Sequence, residues 1–368
     1  MAEPNTLICT TCGKIYALTT RDWRCACGGL FDLKDWPSLD TSLLDAGQPG
    51  LWRYRAWLPL AADWPPVSLG EGGTPLLRTE WAGRPLHFKL EHLSPTGSFK
   101  DRGAAVLVTA LRGLGIERVV EDSSGNAGAA LAAYAARAGI ACEVCVPVGA
   151  PGPKLAQMTT YGAEVIEIRG RREYAALAAW AAAAHGAYYA SHVYNPYFQA
   201  GIETTAYELW EQLGQRAPGA LVVPTGNGTL LLGLYRGFQR LHQAGLSDRL
   251  PRLFAVQAAA CAPIYHAFAG DQAVVEPATP EPTVASGIAV AQPARGAQIL
   301  EAVRATGGDV LGVTEEEILK THTQLAYVGF HVEPTSAATV AALAHLPPTE
   351  EPVVVPLTGH GLKFQAEG

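Results

Sequence analysis

The chain has 368 residues, 48% hydrophobic and 17% charged, with a formal net charge of −7. That length holds about two domains around a large buried core, and the composition excludes a disordered chain. The acidic balance speaks against broad nucleic-acid binding. The longest apolar stretches, such as Ala175–Ala187, are alanine-rich and interrupted, which excludes a membrane span.

No basic segment followed by an apolar run opens the chain, so a cytosolic protein is expected. Residues 1–36 form a unit of their own, with Cys9-Thr-Thr-Cys12-Gly13 and Cys25-Ala-Cys27-Gly28-Gly29 as two cysteine knuckles. Four thiolates from two tight turns suit a tetrahedral zinc ion, and a closed set of four ligands makes its role structural. Only one residue separates Cys25 from Cys27, where two are usual, so a redox pair or a metal-free ribbon stands as the alternative. Cys142, Cys145 and Cys261 are expected to be buried, inert thiols. Residues 37–66, with Trp36 just before them, carry Trp52, Trp57 and Trp64 and read as an irregular linker whose tryptophans anchor it to the body.

Ser68-Leu-Gly-Glu-Gly-Gly-Thr-Pro-Leu76 is a turn leading into a strand, and Leu86–Glu91 is a second strand. Pro95 and Gly97 then force a turn, Ser98 is a candidate N-cap, and Ala104–Leu114 is helical. Lys100 therefore falls in a first helical turn, where the positive end of the helix disfavours an ammonium. A lysine so placed has a lowered pKa and a neutral amine able to attack a carbonyl, although a solvated lysine in an ordinary turn has the same local sequence.

A short strand from Arg118 ends in the polar turn Asp122–Gly128 and opens a helix at 129–138, a geometry that offers N–H groups and hydroxyls to an anion. Strands at 141–147 and 164–168 alternate with helices at 152–162 and 173–185. Residues 189–205 are polar and aromatic, with a turn at Asn195-Pro196, before a helix at 203–213. The buried strand at Ala220 leads through Gly226-Asn227-Gly228-Thr229 into a helix at 230–243, a second phosphate-cradling turn. A strand at 253–257, a proline-rich irregular segment at 270–297, helices near 296–305 and 315–327, and a strand at 309–313 follow. The last strand, 352–357, places Thr358 at its carboxyl end, where such sheets bind ligands. This alternation specifies an α/β fold with parallel sheets and helices on both faces.

Taken together, these stretches resemble the threonine synthase family, in the tryptophan-synthase-like, fold type II group of pyridoxal phosphate (PLP) enzymes. The resemblance rests on 68–76, Pro95–Gly103, Asp122–Gly128, 226–229, Glu333-Pro-Thr-Ser-Ala-Ala338 and Leu357-Thr-Gly-His-Gly-Leu-Lys363, in the family's order, and covers about 67–365. It implies two three-layer α/β domains around a PLP cleft, the larger from 67–104 and 201–368 and the smaller from 105–200, plus the zinc-ribbon-like unit. By resemblance Lys100 would carry the Schiff base and move protons on the substrate. Asn126 would bond the phenolic oxygen of PLP, Gly226, Asn227, Gly228 and Thr229 its phosphate, and Thr358 would face its pyridine nitrogen. Ser123 and Ser124 would border a small amino-acid substrate, with Lys154 and Thr96 also on the substrate side. A homodimer is implied, with no nucleic-acid or membrane partner.

One position departs from the pattern. The family follows its Asn-Pro pair with an arginine expected to hold the phosphate of O-phosphohomoserine, and here Phe198 falls there. A phenylalanine cannot replace a bidentate phosphate donor. Lys154 matches another family lysine and can supply charge, with His192 as a candidate helper. By resemblance the leading reaction remains O-phosphohomoserine plus water to threonine plus phosphate. Its alternative, strengthened by Phe198, is β-elimination or β-replacement on threonine, serine or an activated serine. A non-catalytic binding scaffold has no chemical need for Lys100, Asn126, the phosphate loop and Thr358 together.

Overall fold

The structure, a computed structural model, describes residues 6–150, 152–170 and 172–364. Residues 1–5 of the cysteine unit, Pro151 of the Pro-Gly-Pro-Lys run and residue 365 lie outside these. The chain divides into two compact units. The first holds the chain up to Glu71 together with Lys100–Gly201, and the second holds Gly72–Phe99 and the chain from Ile202 onward. No helix among the described residues is long and apolar enough to cross a membrane.

The first unit opens with a small antiparallel sheet, β1 (Thr6–Cys9), β2 (Ile15–Ala17) and β3 (Phe31–Leu33), in the order β2-β1-β3. Leu7 and Cys9 alternate inward on β1. The linker is a run of 3-10 turns at Gly50–Trp57 that buries Leu51, Trp52, Tyr54 and Trp57. Trp52 donates its Nε1–H to Glu71 Oε1 at 2.5 Å, and Tyr134 donates its hydroxyl to Glu71 Oε2 at 2.8 Å. Trp64 lies directly on Gly113, where an added Cβ would come within 2.3 Å of the ring. The tryptophans are packing anchors, as their spacing predicts.

A hairpin of the second unit, β4 (Leu76–Trp81) and β5 (Arg84–Lys89), comes next in the chain. The first unit then continues through α1 (Lys100–Gly113), β6 (Arg118–Glu121), α2 (Asn126–Ala138), β7 (Ala141–Pro147), α3 (Gly152–Thr160), β8 (Glu164–Ile168), α4 (Arg172–Ala184) and β9 (Tyr188–Tyr189). Strands β6–β9 form a second sheet of this unit, all parallel, ordered β8-β7-β6-β9. Helix α2 is mostly alanine and ends on Gly139 at φ 71°, the left-handed cap that glycine adopts without strain. Helix α5 (Pro196–Gln212) starts seven residues before the predicted position. Asn195 Oδ1 accepts the Tyr197 N–H at 2.9 Å, and Pro196 occupies the first helical position, where no N–H is needed.

The second unit adds β10 (Ala220–Pro224), α6 (Thr229–Gln243), β11 (Arg252–Ala258), α7 (Pro263–Ala269), α8 (Gly296–Ala305), β12 (Asp309–Val313), α9 (Glu315–Tyr327), α10 (Pro334–Ala341) and β13 (Val353–Pro356). The sheet runs β12-β11-β10-β13-β5-β4, parallel except for the edge strand β4. Its inner strands β10 and β13 are buried throughout, which is why they read as unbroken apolar runs instead of alternating ones. Beneath the hairpin, the buried Lys89 ammonium pairs with Glu208 and donates to Thr74 O at 2.6 Å and Gln212 Oε1 at 2.9 Å.

Candidate active site

In the second unit, β10 and β13 pair in parallel with Ala220 opposite Val353. Continuing that register sets Pro224 level with Leu357, so the glycine loop and Thr358 leave the sheet side by side at its carboxyl edge. Gly228 adopts φ 75° as the N-cap of α6, and no side chain caps that end. The first N–H groups of the helix therefore point outward with the positive end of its dipole. The loop cannot carry larger residues. A Cβ on Gly226 would meet Val290 Cγ2 at 2.9 Å and Ile288 Cα at 3.1 Å, and one on Gly228 would meet Ile299 Cδ1 at 2.4 Å. The irregular segment around 288–290 is thus the back wall of the loop. An uncapped, glycine-lined helix start of this kind fits a dianionic phosphate.

Thr358 is buried and fixed by Ser336, near the start of α10. Ser336 Oγ accepts the Thr358 N–H at 2.9 Å and lies 3.3 Å from its hydroxyl. The loop bearing Thr96 runs beside this segment. His360 N–H donates to Gly97 O at 2.9 Å, Phe99 N–H to Thr358 O at 3.1 Å, and Lys363 Nζ to Thr96 O at 2.8 Å. Ser98 is not the N-cap its sequence position suggests. It forms a β-bridge with Gly359, and its buried hydroxyl has no partner among the described residues. A long-range pairing, invisible locally, holds its backbone instead.

In the first unit, β6 ends on Glu121 and the chain turns through Ser123 and Ser124 into α2, which Asn126 opens. A Cβ on Gly128 would stand 2.1 Å from Ser123 O and 2.8 Å from Met158 of α3, so this turn is pressed flat against the helices. Lys154 is buried on α3. Lys100 is the first residue of α1. Burial lowers its amine to about 8, against the opposing pull of Glu121. Phe198 lies against the same helix turn. A Cβ on Gly103 would touch its ring at 2.4 Å, one on Gly201 would meet Arg102 O at 2.1 Å, and Lys100 Nζ is 5.8 Å from the ring centroid.

Glu121, not assigned from the sequence, and the candidate helper His192 stand beside Lys100 and Phe198. Because β6 and β9 pair in parallel, Val120 opposite Tyr189, the segment after β9 brings His192 to the end of β6. His192 Nδ1 lies 2.9 Å from Glu121 Oε1, and its ring centroid is 5.9 Å from that of Phe198. Burial holds His192 well below the ordinary histidine range, helped by Lys100 and Arg172, so it is neutral. It does not supply the positive charge expected of it. Burial, and then Asp122, pushes the Glu121 carboxyl well above the carboxylate range. A signal for the acid was present: Val119 and Val120 lead into two consecutive acids, Glu121 and Asp122.

The four sulfurs of Cys9, Cys12, Cys25 and Cys27 lie within 4.8 Å of one another, with Cys9–Cys27 at 3.5 Å and Cys12–Cys25 at 3.6 Å. A tetrahedral metal at about 2.3 Å from each sulfur needs edges of about 3.8 Å, so the set is compatible with zinc. The short second knuckle is no obstacle, because Gly28 takes φ 86° and Gly29 leaves room for Cys9 Sγ. The ribbon also grips the segment that carries His192. The Trp23 ring stands edge-on to Tyr189 and Tyr194 at 4.7 and 5.2 Å, and the Tyr197 hydroxyl donates to Leu18 O at 2.9 Å. The remaining thiols are buried, and burial pushes Cys142 up to about 12 and Cys145 to about 11.

The pyridoxal-phosphate dependent enzyme family matches residues 67–359. A threonine synthase of Methanocaldococcus jannaschii is 36% identical over 372 aligned residues, covering 96% of this chain and 92% of the relative. One of Mycobacterium bovis is 39% identical over 84% of this chain and 87% of its own. Among solved structures, a T.th. threonine deaminase superposes with a TM-score of 0.68 at 28% identity, over 80% of this chain and 94% of that one. With a lysine at a helix start, a phosphate-type glycine loop and relatives matched along nearly the whole length, the chain belongs to the threonine synthase family of pyridoxal phosphate-dependent enzymes.

Proposed function

We propose that this chain breaks a carbon–oxygen bond of a small amino acid with PLP bound through Lys100. The observation that carries the reading is the desolvated Lys100 amine, brought down to about 8 so that a substantial neutral fraction exists near physiological pH, able both to bond the cofactor and to take a proton. PLP supplies the electron sink for the substrate's Cα; everything else falls to the chain. The N–H groups of Gly226–Thr229 would hold its phosphate and Asn126 its phenolic oxygen. The Thr358 hydroxyl, kept in place by Ser336, would serve the ring nitrogen without forcing it to protonate as a carboxylate would. Lys100 moves protons at the substrate's carbon skeleton. Ser123, Ser124, Thr96 and Lys154 line the substrate side.

Two substrates fit this reading. The names of the relatives support threonine formation from O-phosphohomoserine. The buried Phe198, standing where a phosphate-binding arginine is expected, supports elimination or replacement on an amino acid without phosphate. A structural zinc ion in the cysteine cluster, a homodimer and a cytoplasmic location complete the proposal. Removing the metal with a chelator is expected to lower the melting temperature and alter Trp23 fluorescence. The purified protein should be yellow, and Lys100→Ala should lose the visible band. A colourless protein after incubation with PLP overturns the reading. A panel of O-phosphohomoserine, threonine and serine, scored for phosphate, threonine and 2-oxo acid, then separates the two substrates.

A further inference from the structure

The wall around Lys100 in the first unit is built for protons: a carboxyl and an imidazole lie together beside the amine, and the nearby Arg172 is held on Asp122. Glu121 is closed off from solvent, with 1% of its side chain exposed, whereas its partner His192 keeps 11% open. The pair therefore has an inner member and an outer one. The groups that face Glu121 are Lys100 on α1, Asp122 beside it, Arg172 on α4, Tyr189 on β9, Cys142 on β7 and His192. Arg172 lies 3.7 Å from Asp122 Oδ2 and donates to Asp122 O at 3.2 Å, and Tyr189 donates its hydroxyl to Asp122 Oδ1 at 2.7 Å. Phe198 closes the remaining side. A phosphate dianion placed here would lose its water and meet a phenyl ring and a neutral imidazole where a bidentate donor is needed, because Arg172 is engaged by Asp122. A hydroxyl would lose little and meet a proton donor.

Leaving-group chemistry points the same way. A phosphate departs as a stable anion and needs no acid, whereas a hydroxyl departs well only when it is protonated as it leaves. Resting on the reading that Lys100 binds PLP, we propose that His192, positioned by Glu121 and bounded by Phe198, is the acid that protonates the departing oxygen of a β-hydroxy amino acid, and that this wall selects the free hydroxyl over a phosphate ester. Atoms and electrons balance. The Cα–H bond breaks and its proton goes to the Lys100 amine, while its electron pair becomes the Cα=Cβ bond. The Cβ–O bond breaks, and the oxygen takes the His192 Nε2 proton and leaves as water. Nδ1 of His192 takes the carboxyl proton of Glu121, which becomes a carboxylate beside the newly formed Lys100 ammonium. Hydrolysis of the resulting enamine gives a 2-oxo acid and ammonia.

The test uses the PLP-loaded protein with serine, threonine and β-chloroalanine, whose chloride leaves without a proton. His192→Asn is expected to lower kcat for serine and threonine about 100-fold with KM nearly unchanged, and kcat for β-chloroalanine less than about threefold. Glu121→Gln should give a smaller loss on the hydroxy substrates and shift the pH profile of kcat. Calorimetry supplies a readout independent of turnover: O-phosphohomoserine should give no binding heat with wild type and measurable binding with Phe198→Arg. Equal losses on serine and β-chloroalanine in His192→Asn, or wild-type turnover of O-phosphohomoserine without any of serine and threonine, overturns the proposal. Absence of a visible band that depends on Lys100 is a separate result, which rejects the PLP reading itself.

Discussion

The carboxyl ends of β10 and β13 and the carboxyl ends of β6 and β9 share one plan, a pair of neighbouring parallel strands each ending in a loop. They fill it with opposite chemistry. In the second unit the ends carry Gly226–Thr229 and the Ser336–Thr358 pair, backbone dipoles and hydroxyls. In the first unit they carry Glu121, Asp122 and His192, next to the Lys100 amine. The same topology therefore yields one end suited to a fixed anion and one suited to moving protons. The first depends on shape, because the glycines leave no room for a Cβ. The second depends on burial, because the loss of water moves Lys100, Glu121 and His192 away from their ordinary ranges.

The contrast can be broken by asking which changes depend on pH. The largest effect is expected from Lys100→Met in the cofactor-free protein. The folded-state amine titrates at about 8 and an ordinary lysine at 10.5, so the unfolded chain binds more protons between those values. Stability is then lowest below pH 8 and rises as pH passes through that window. Replacing Lys100 should stabilise the cofactor-free protein by about 2–3 kcal/mol below pH 8, an advantage that fades towards pH 10.5, measured by urea denaturation at several pH values. Next comes Gly226→Val, which forces carbon atoms into Val290 and Ile288. It should weaken PLP binding about 10- to 100-fold, equally at all pH values, in a fluorescence titration. A pH-dependent loss in that variant would erase the contrast between the two ends. Smallest is Ser336→Ala, which removes the acceptor for the Thr358 N–H. It should cost about 1 kcal/mol, or about fivefold in PLP affinity, again without pH dependence.

The glycine loop and the Thr358 end were legible in the sequence because their features are local. A strand, two glycines and a helix start lie within ten residues, and the position of Thr358 after an apolar run needs no partner to be recognised. Ser336, which orients Thr358, lay inside a motif already marked but gave no sign of its role, since the bond spans a loop and a strand. The proton-handling end was harder. Glu121 and His192 meet only because β9, a strand of two residues, pairs with β6, and so short a strand has no periodicity to read. The start of α5 was readable and misread: Asn195-Pro196 is a cap followed by a first-turn proline, not a turn. Ser98 shows the reverse error, a good local capping residue that the Gly359 bridge claims for a sheet.

Reduction of the PLP-loaded protein with borohydride, followed by peptide mass mapping, tests the central claim most directly. The account predicts the pyridoxyl phosphate mass on the peptide containing Lys100 alone. The same mass on Lys89, Lys154 or Lys363, or on no peptide, would contradict it.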